Sequence, residues 1–523
     1  MTEKLIFTNP ATGTQFGEVT MTTPEEVKQA VEEMRQSFPV WSGKSVKERC
    51  KILKKFQNLL IEKRDEISTI VSQDTGKNRQ DSLIELFVSV DMLAQNRMNA
   101  PRWLKPERVS SGLYLFKKGI VEHRPHGVVV VISPWNYPLL ISLTPMFSAL
   151  LAGNTVVLKT SEVTPAVGEL IEKLFKSLPE LAPFVRVVHG DGKVGAALVN
   201  SKPDYIFVTG STTTGKKIMQ AAAENLIPVT LELGGKDPVI VLEDADIEAA
   251  ARWATWGAHY NAGQACMSVE RVYVVESKYD EFVNAAIQNT KEIHTGFTLD
   301  TNSPYFMGPV TDPRQVQIID DHIKDAVDKG ARVLCGGKEG GAFYKPMVMV
   351  DVNHSMKVMR EETFGPIMPI MKVRDEEEAI RLANDSTLGL GASVYGKDLT
   401  RAKRVADRIQ ASSIIINDSI AQFGIPMLPF GGVKESGIGT THGREGILEF
   451  THPYSYAIGG IPLKWDVATI VRNLGNYELG VAIMGVVYGT TLKQKWETLS
   501  QFLRKGKKET TSSNIKPESV TTK

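Results

Sequence analysis

At 523 residues, with 61 Lys and Arg against 60 Asp and Glu, the chain is too long for one ordinary domain and too nearly neutral to cover a phosphate backbone. That balance excludes a nucleic-acid partner, while a hydrophobic fraction of 42% supports sizeable cores. Three widely separated cysteines (Cys50, Cys266, Cys335) fit a reducing compartment better than a disulfide framework, and Met1-Thr2-Glu3-Lys4 leads into no apolar run of signal-peptide length, so a cytoplasmic protein of two or three domains is expected.

In chain order, Asn9-Pro10-Ala11-Thr12-Gly13 is a turn in an opening hairpin, and Thr23 to about Leu104 reads as helical, with Thr23 as an N-cap. Strand and helix then alternate. Gly127–Ile132, Thr155–Leu158, Phe184–Val188 and Tyr205–Val208 are apolar runs, and helices are expected over Leu139–Leu151, Pro165–Leu178, Val194–Asn200 and Thr214–Asn225. Continuous apolar strands in β-α-β-α order predict a parallel, doubly wound sheet with ligands outside the strand C-termini. After Val229–Lys236 a second α/β half runs to about Pro429, with strands near Val272–Val275, Met347–Val350 and Ser413–Ile416.

Chemistry-bearing residues gather at the ends of these strands. Ser133 to Pro138, Lys159 to Glu162 and Gly210 to Gly215 follow three of them; a Gly and a hydroxyl residue at a helix start present backbone N–H groups to a pyrophosphate. The order is not GxGxxG, so an ordinary dinucleotide fingerprint is absent. Asn261 to Met267 is a small-residue loop around Cys266, in which Gly263 and Ala265 leave room beside the sulfur. An accessible thiol there is a candidate nucleophile, the alternative being an inert buried thiol.

Taken together, Pro134-Trp135-Asn136-Tyr137-Pro138, Lys159-Thr160-Ser161-Glu162, Gly210-Ser211-Thr212, Leu231 to Lys236, Gly263-Gln264-Ala265-Cys266, Glu361 to Pro366 and Pro429 to Lys434 resemble the NAD(P)-dependent aldehyde dehydrogenase superfamily over about residues 5 to 458. The resemblance implies an α/β fold: a Rossmann-type NAD-binding domain (1–106, 127–234, 433–446), a catalytic domain (235–432) and a small β oligomerisation arm (107–126, 447–460), with 461–523 as an extension. It implies Cys266 as nucleophile, the Asn136 amide and the Cys266 N–H as oxyanion donors, and Glu232 as general base, with Gly234-Gly235 giving that carboxylate room. Cofactor contacts carry over to Ile132, Ser133, Pro134, Trp135, Lys159, Ser161, Glu162, Gly192, Gly210, Ser211, Leu233, Gly234, Glu362 and Phe364. Glu162 favours NAD, with NADP as the alternative, since a carboxylate accepts from a 2′-hydroxyl and repels a 2′-phosphate. Asn417 carries over as a structural amide tying loops together. No metal is implied, and the arm implies a homodimer or homotetramer.

The expected substrate walls are Tyr137, Ile141, Thr144, Met267, Phe423 and Phe430, an apolar set without a fixed cation. Semialdehyde-oxidising relatives tend to carry an arginine where this chain has Thr144, so a hydrophobic aliphatic or aromatic aldehyde is expected. The competing readings are a semialdehyde dehydrogenase, a catalytically silent binding protein and a thioester-transferring relative. One branch of the family carries a relay glutamate where this chain has Phe450 to Tyr454, which leaves Glu232 to act alone. In the tail, Val467, Ile470, Val471 and Leu474 form an apolar stripe. Leu479–Leu492 is an uncharged run of about fourteen residues, short of the ~20 that span a bilayer. Basic residues around Trp496 and Phe502 follow, and from Glu509 the composition reads as disordered. Two readings stay open for this tail: peripheral contact with a membrane, or packing on the body or on a neighbouring subunit.

Overall fold

β-Branched runs with no polar face can only be buried on both sides, and they form the centre of a six-stranded sheet. Its order is Gly437–Ile438, Val229–Glu232, Tyr205–Thr209, Val128–Ile132, Thr155–Lys159, Val185–Val188. All neighbours in it are parallel except the Gly437–Ile438 edge, where Gly437 pairs with Glu232. The computed structural model describes residues 3–112, 114, 117–459 and 477–512. Helices Leu140–Ala152, Pro165–Lys176, Gly192–Asn200 and Thr212–Ala223 connect the strands. The sequence boundaries hold to within about two residues, and the expected parallel sheet is present.

The opening hairpin pairs Lys4–Thr8 with Gln15–Thr20. Four helices follow, Pro24–Ser42, Val46–Glu62, Arg64–Thr75 and Arg79–Trp103. Thr23 caps the first in a reciprocal box with Glu26, and Ser45 caps the second with Glu48. The first helix supplies Val27, Val31 and Met34 to one face of the sheet, against Val128, Val130 and Val157. The opposite face packs Val129, Val131 and Val156 with Leu53, Phe56 and the helix of Phe147.

The second sheet has seven strands, in the order Arg332–Gly340, Phe343–Val350, Ile367–Val373, Arg271–Val275, Pro238–Val241, Gly391–Tyr395, Ser413–Ile416. It is parallel apart from the Arg332–Gly340 edge. The Arg271–Val275 strand sits at its centre, so the loop before that strand, which carries Cys266, is anchored in the middle of the sheet. Asn417, at φ 58°, exchanges both amide bonds with Gly396 at 3.0 Å, the loop tie expected of it.

Two compact units are formed, one by the described residues of Met1–Glu107 and Val121–Ser455, the other by those of Arg108–Ile120 and Tyr456–Lys523. Both large sheets belong to the first unit. In the arm region, Glu107–Val109, Lys117–Pro125 and Thr451–Gly459 make a three-stranded sheet. The expected arm segment began at Ile447, but the helix Gly443–Leu448 continues through that position and the strand starts only at Thr451.

The tail departs from expectation in two ways. Its uncharged run is not one helix: Tyr477–Tyr488 ends before Gly489, and Leu492–Ser512 begins a second helix. The two pack closely at Gly485, where a Cβ would lie 2.5 Å from the Thr498 methyl. The second helix also runs through Glu509–Ser512, a stretch expected to be disordered. The Val467–Leu474 stripe lies outside the described residues. No helix among the described residues is long and apolar enough to cross a membrane.

Candidate active site

The Val128–Ile132 strand ends in a loop whose shape is set from beneath by a buried ion pair. Lys77 Nζ donates to Glu85 Oε2 and to the Asn136 carbonyl, both at 2.8 Å. Glu85 Oε1 accepts the N–H groups of Leu139 and Leu140 at 2.8 and 3.0 Å, a carboxylate at the positive end of the Leu140–Ala152 helix. Each charged side chain in this arrangement has hydrogen-bond partners. The Lys77 ammonium also sits 4.3 Å from the Tyr137 ring centroid. None of this was legible as function in the sequence; Lys77 and Glu85 occupy an ordinary helical stretch.

The Cys266 loop approaches from the other sheet. Asn261, Ala262 and Gly263 all take positive φ (52°, 56° and 70°), an uncommon run that turns the chain tightly. Gln264, missed in the sequence, locks it: its Nε2 donates to the Asn261 carbonyl at 2.8 Å and its Oε1 accepts the Thr311 N–H at 2.8 Å. The Gln264 carbonyl accepts from Asn136 Nδ2 at 3.0 Å, so the two loops are joined at the predicted oxyanion donor. The second Nδ2 hydrogen is the one that the expected oxyanion role would use.

Glycine supplies room here, but not where the sequence suggested. A Cβ on Gly263 would lie 2.2 Å from the Gly365 carbonyl oxygen, so Gly263 admits that backbone rather than space beside the sulfur. A Cβ on Gly235 would lie 2.5 Å from the Cys266 carbonyl, and one on Gly234 2.2 Å from Glu362 Oε2. Those two glycines therefore make way for the cysteine loop and for Glu362. At Glu232 the nearest such position is Gly431, 3.5 Å from Oε1.

Cys266 is half-buried and Glu232 is buried, and both line one cavity with Ile141, Thr144, Pro145, Phe207, Thr209, Leu233, Phe423, Phe430, Thr441 and His442. Burial pushes the Glu232 carboxyl well above the usual carboxylate range, with the Glu449 carboxylate adding to it. Glu232 Oε1 has no hydrogen-bond partner among the described residues. Burial also raises the Cys266 thiol, followed by the Asp237, Glu232 and Glu362 carboxylates, while its own backbone N–H opposes them. Burial thus favours the neutral thiol and the neutral carboxyl at rest for these two cavity-lining groups. Of the expected substrate walls, Ile141, Thr144, Phe423 and Phe430 line the cavity. Tyr137 does not, its ring lying under Lys77, and neither does Met267, which packs with Leu390 and Phe430.

A second group of expected residues lies along the strand ends of the six-stranded sheet. Lys159 is buried with Nζ 3.5 Å from Glu162 Oε2, and burial lowers its proton affinity. The other Glu162 oxygen lies 3.4 Å from Arg314, a cation that the sequence reading missed. Ser211 caps the Thr212–Ala223 helix by accepting the Thr214 N–H at 3.2 Å. Gly192 and Gly210 look onto open space. Ser161 Oγ accepts the Val163 N–H at 3.2 Å, while Ser133 Oγ turns inward to Ser142 Oγ at 2.6 Å. Ile132 is buried and Pro134 and Trp135 are half-buried.

Glu362 accepts the Gly235 N–H at 3.1 Å, and burial, with Glu270 nearby, pushes its carboxyl up to about 8. Phe364, at φ 49°, meets Trp135 edge-on at 5.5 Å, and its N–H donates to Glu270 at 2.9 Å. Glu270 is paired with Lys236 at 2.5 Å. Open glycines at helix starts, a paired lysine and glutamate, and a second carboxylate over Gly234 fit a dinucleotide laid across these strand ends.

A loop thiol, an amide donor and a buried carboxyl beside strand ends that fit a dinucleotide are the arrangement expected of an oxidoreductase acting on a carbonyl carbon. The sequence profile of the Aldehyde dehydrogenase family matches residues 2–455, and the chain belongs to that family of NAD(P)-dependent enzymes. It is 39% identical over 485 residues to the 4,4'-diapolycopene aldehyde oxidase of Methylomonas sp, covering 92% of this chain and 91% of that one. It is 34% identical over 468 residues to the succinate-semialdehyde dehydrogenase [NADP(+)] GabD of Escherichia coli K12, covering 87% and 95%. Its fold is similar to the betaine aldehyde dehydrogenase of Staphylococcus aureus solved in complex with NAD+, with a TM-score of 0.84, 31% identity, and 88% and 95% of the two chains covered.

Proposed function

We propose that this aldehyde dehydrogenase oxidises a hydrophobic aldehyde to its acid through a thioester on Cys266. The observation that carries the reading is the wall of the Cys266–Glu232 cavity. Ile141, Pro145, Phe207, Leu233, Phe423 and Phe430 dominate it, and no lysine or arginine lies among its described residues. Burial lowers the proton affinity of His442 to about 3, so this histidine gives no cation for a substrate carboxylate.

In the proposed reaction Glu232 takes the thiol proton and the sulfur adds to the aldehyde carbon. Asn136 Nδ2 and the Cys266 N–H hold the oxyanion, each such donor contributing about 3–4 kcal/mol. The nicotinamide of a bound NAD supplies the hydride acceptor. Its ribose hydroxyls would be held by Lys159 and Glu162 at one end and by Glu362 at the other, with the pyrophosphate over Gly210 and Ser211. Glu232 gives the thiol proton up to solvent and, ionised again, activates water against the thioester. Glu162 supports NAD as the preferred cofactor, though Arg314 beside it softens the repulsion of a 2′-phosphate.

The likeness to a protein named 4,4'-diapolycopene aldehyde oxidase supports an apolar substrate, and that match, covering 92% of 523 residues, reaches past about residue 470 wherever it begins. The tail beyond the family profile is therefore partly shared with that relative. Membrane contact through the basic, Trp496-bearing second tail helix belongs to the same reading. The test is turnover on decanal and on succinic semialdehyde, with NAD and NADP, for the full chain and a 1–460 truncation, with and without anionic vesicles. The expected result is a kcat/KM favouring decanal, with co-sedimentation of the full chain only. A preference for the semialdehyde would overturn the substrate assignment, and equal co-sedimentation the membrane one.

A further inference from the structure

His442 is a residue that folding alone does not explain. It combines φ 64° with ψ 159°, a backbone region occupied almost entirely by glycine. Its neighbours force that shape: Phe430 and Thr441 exchange backbone bonds at 2.8 and 2.6 Å, the Gly443 N–H donates to the Pro426 carbonyl at 3.0 Å, and the Gly446 N–H to the His442 carbonyl at 2.8 Å. A glycine at 442 would relieve the strain. The side chain present instead is 1% exposed, set against the rings of Phe423 at 4.7 Å and Phe430 at 5.8 Å.

Neither ring nitrogen of His442 has a hydrogen-bond partner among the described residues. The same holds for Thr144 Oγ1 and Glu232 Oε1, and all three residues line the cavity that holds Cys266. Buried polar atoms left unpaired are costly, and all four belong to residues that line one cavity, which points to something small and polar among them. The free space is about 30 Å³, enough for about two water molecules. With its proton affinity lowered by burial, the imidazole is neutral, offering one N–H and one acceptor nitrogen, which suits bridging waters.

We propose that His442 is a positioning residue for hydrolysis: its imidazole, with the Thr144 hydroxyl, holds the attacking water against the Glu232 carboxylate. The inference rests on the Cys266 and Glu232 roles given above. In the step it serves, the water oxygen bonds to the acyl carbon and the carbon–sulfur bond breaks. One water proton passes to Glu232 and from there to the leaving sulfur, giving the acid and the free thiol. No redox change occurs in this half of the cycle. A water placed by three groups attacks from one direction; held by Glu232 alone it samples many.

The test separates acylation from deacylation. His442→Leu, His442→Asn and Thr144→Val are compared with the unsubstituted enzyme on decanal, following the rapid phase of NADH formation, the steady rate, and the mass of acid-quenched protein. His442→Leu is expected to keep the rapid-phase rate within about twofold while the steady rate falls about tenfold or more, the scale of one lost buried hydrogen bond. The acyl adduct should then accumulate on Cys266. His442→Asn, which keeps a donor and an acceptor, should recover part of the steady rate. Thr144→Val should shift the rates the same way by less, and it decides the matter if His442→Leu does not fold. Equal losses in both phases, or no change in either, overturn the inference. Failure of the underlying reading looks different: Cys266→Ala would still give a rapid phase, or no adduct would form in any variant.

Discussion

Two buried polar clusters lie on either side of the Asn136 loop, and they differ in one respect. Around Lys77 and Glu85 each charged atom has its partners: ammonium to carboxylate and carbonyl, carboxylate to two helix N–H groups. In the cavity beside Cys266, Glu232, Thr144 and His442 all carry polar atoms that the described protein leaves unpaired. The first cluster is saturated and can only hold a shape. The second keeps its hydrogen-bonding capacity for molecules that come and go, which is what hydrolysis requires.

The sharpest way to break this contrast is to remove a group from the unsaturated cluster. Glu232→Gln keeps the volume and loses the base. Steady-state turnover is expected to fall by about 10²–10⁴-fold, with the protein no less stable, since a buried carboxyl of raised proton affinity gives way to a neutral amide. Thermal unfolding and turnover on one preparation check both halves. A variant that loses stability in step with activity would make Glu232 structural.

The opposite pattern is expected from the saturated cluster. Lys77→Met leaves Glu85 buried without its cation and should destabilise by about 3–5 kcal/mol. The double variant Lys77→Met, Glu85→Leu should recover much of that, because the penalty lies in the unpaired charge. Urea unfolding of the singles and the double gives the coupling directly. Additive losses would mean that the pair is not the unit described here.

How much of this was legible beforehand follows from the same contrast. Strands such as Val128–Ile132 were readable because a strand buried on both faces has no polar residue to confuse the pattern. Cys266, Glu232 and Asn136 were singled out through motifs that are local in sequence, and the structure brings the first two to one cavity. Lys77 and Glu85 were not, because their partners are backbone groups about 50–60 positions away, whose location only the fold defines. Gly234 and Gly235 were seen but assigned to the wrong neighbour, since spacing shows that room is needed without showing for what. His442 carried no signal beyond a histidine before a glycine; its backbone strain and unpaired nitrogens exist only in three dimensions.

Asp74 lies between the two clusters in kind and gives the smallest effect. It is 1% exposed; Oδ2 accepts the Val167 N–H at 2.9 Å, and Oδ1 has no partner among the described residues. Burial pushes its carboxyl up to about 8, against two backbone bonds that lower it. The folded state therefore keeps a proton that the unfolded chain releases near the ordinary carboxylate value. From about pH 4 to about 8 the native state binds more protons than the unfolded one, so this group's contribution falls as pH rises. Asp74→Asn retains the carbonyl acceptor for Val167 and cannot ionise. Near pH 5 the two proteins should melt within about 1 °C. At pH 8 the variant should melt higher, by about 1 °C for each kcal/mol of relieved charge burial in a chain of 523 residues. A difference that stays constant with pH would show that Asp74 is already ionised in the fold, and that one satisfied oxygen is enough to hold a buried charge.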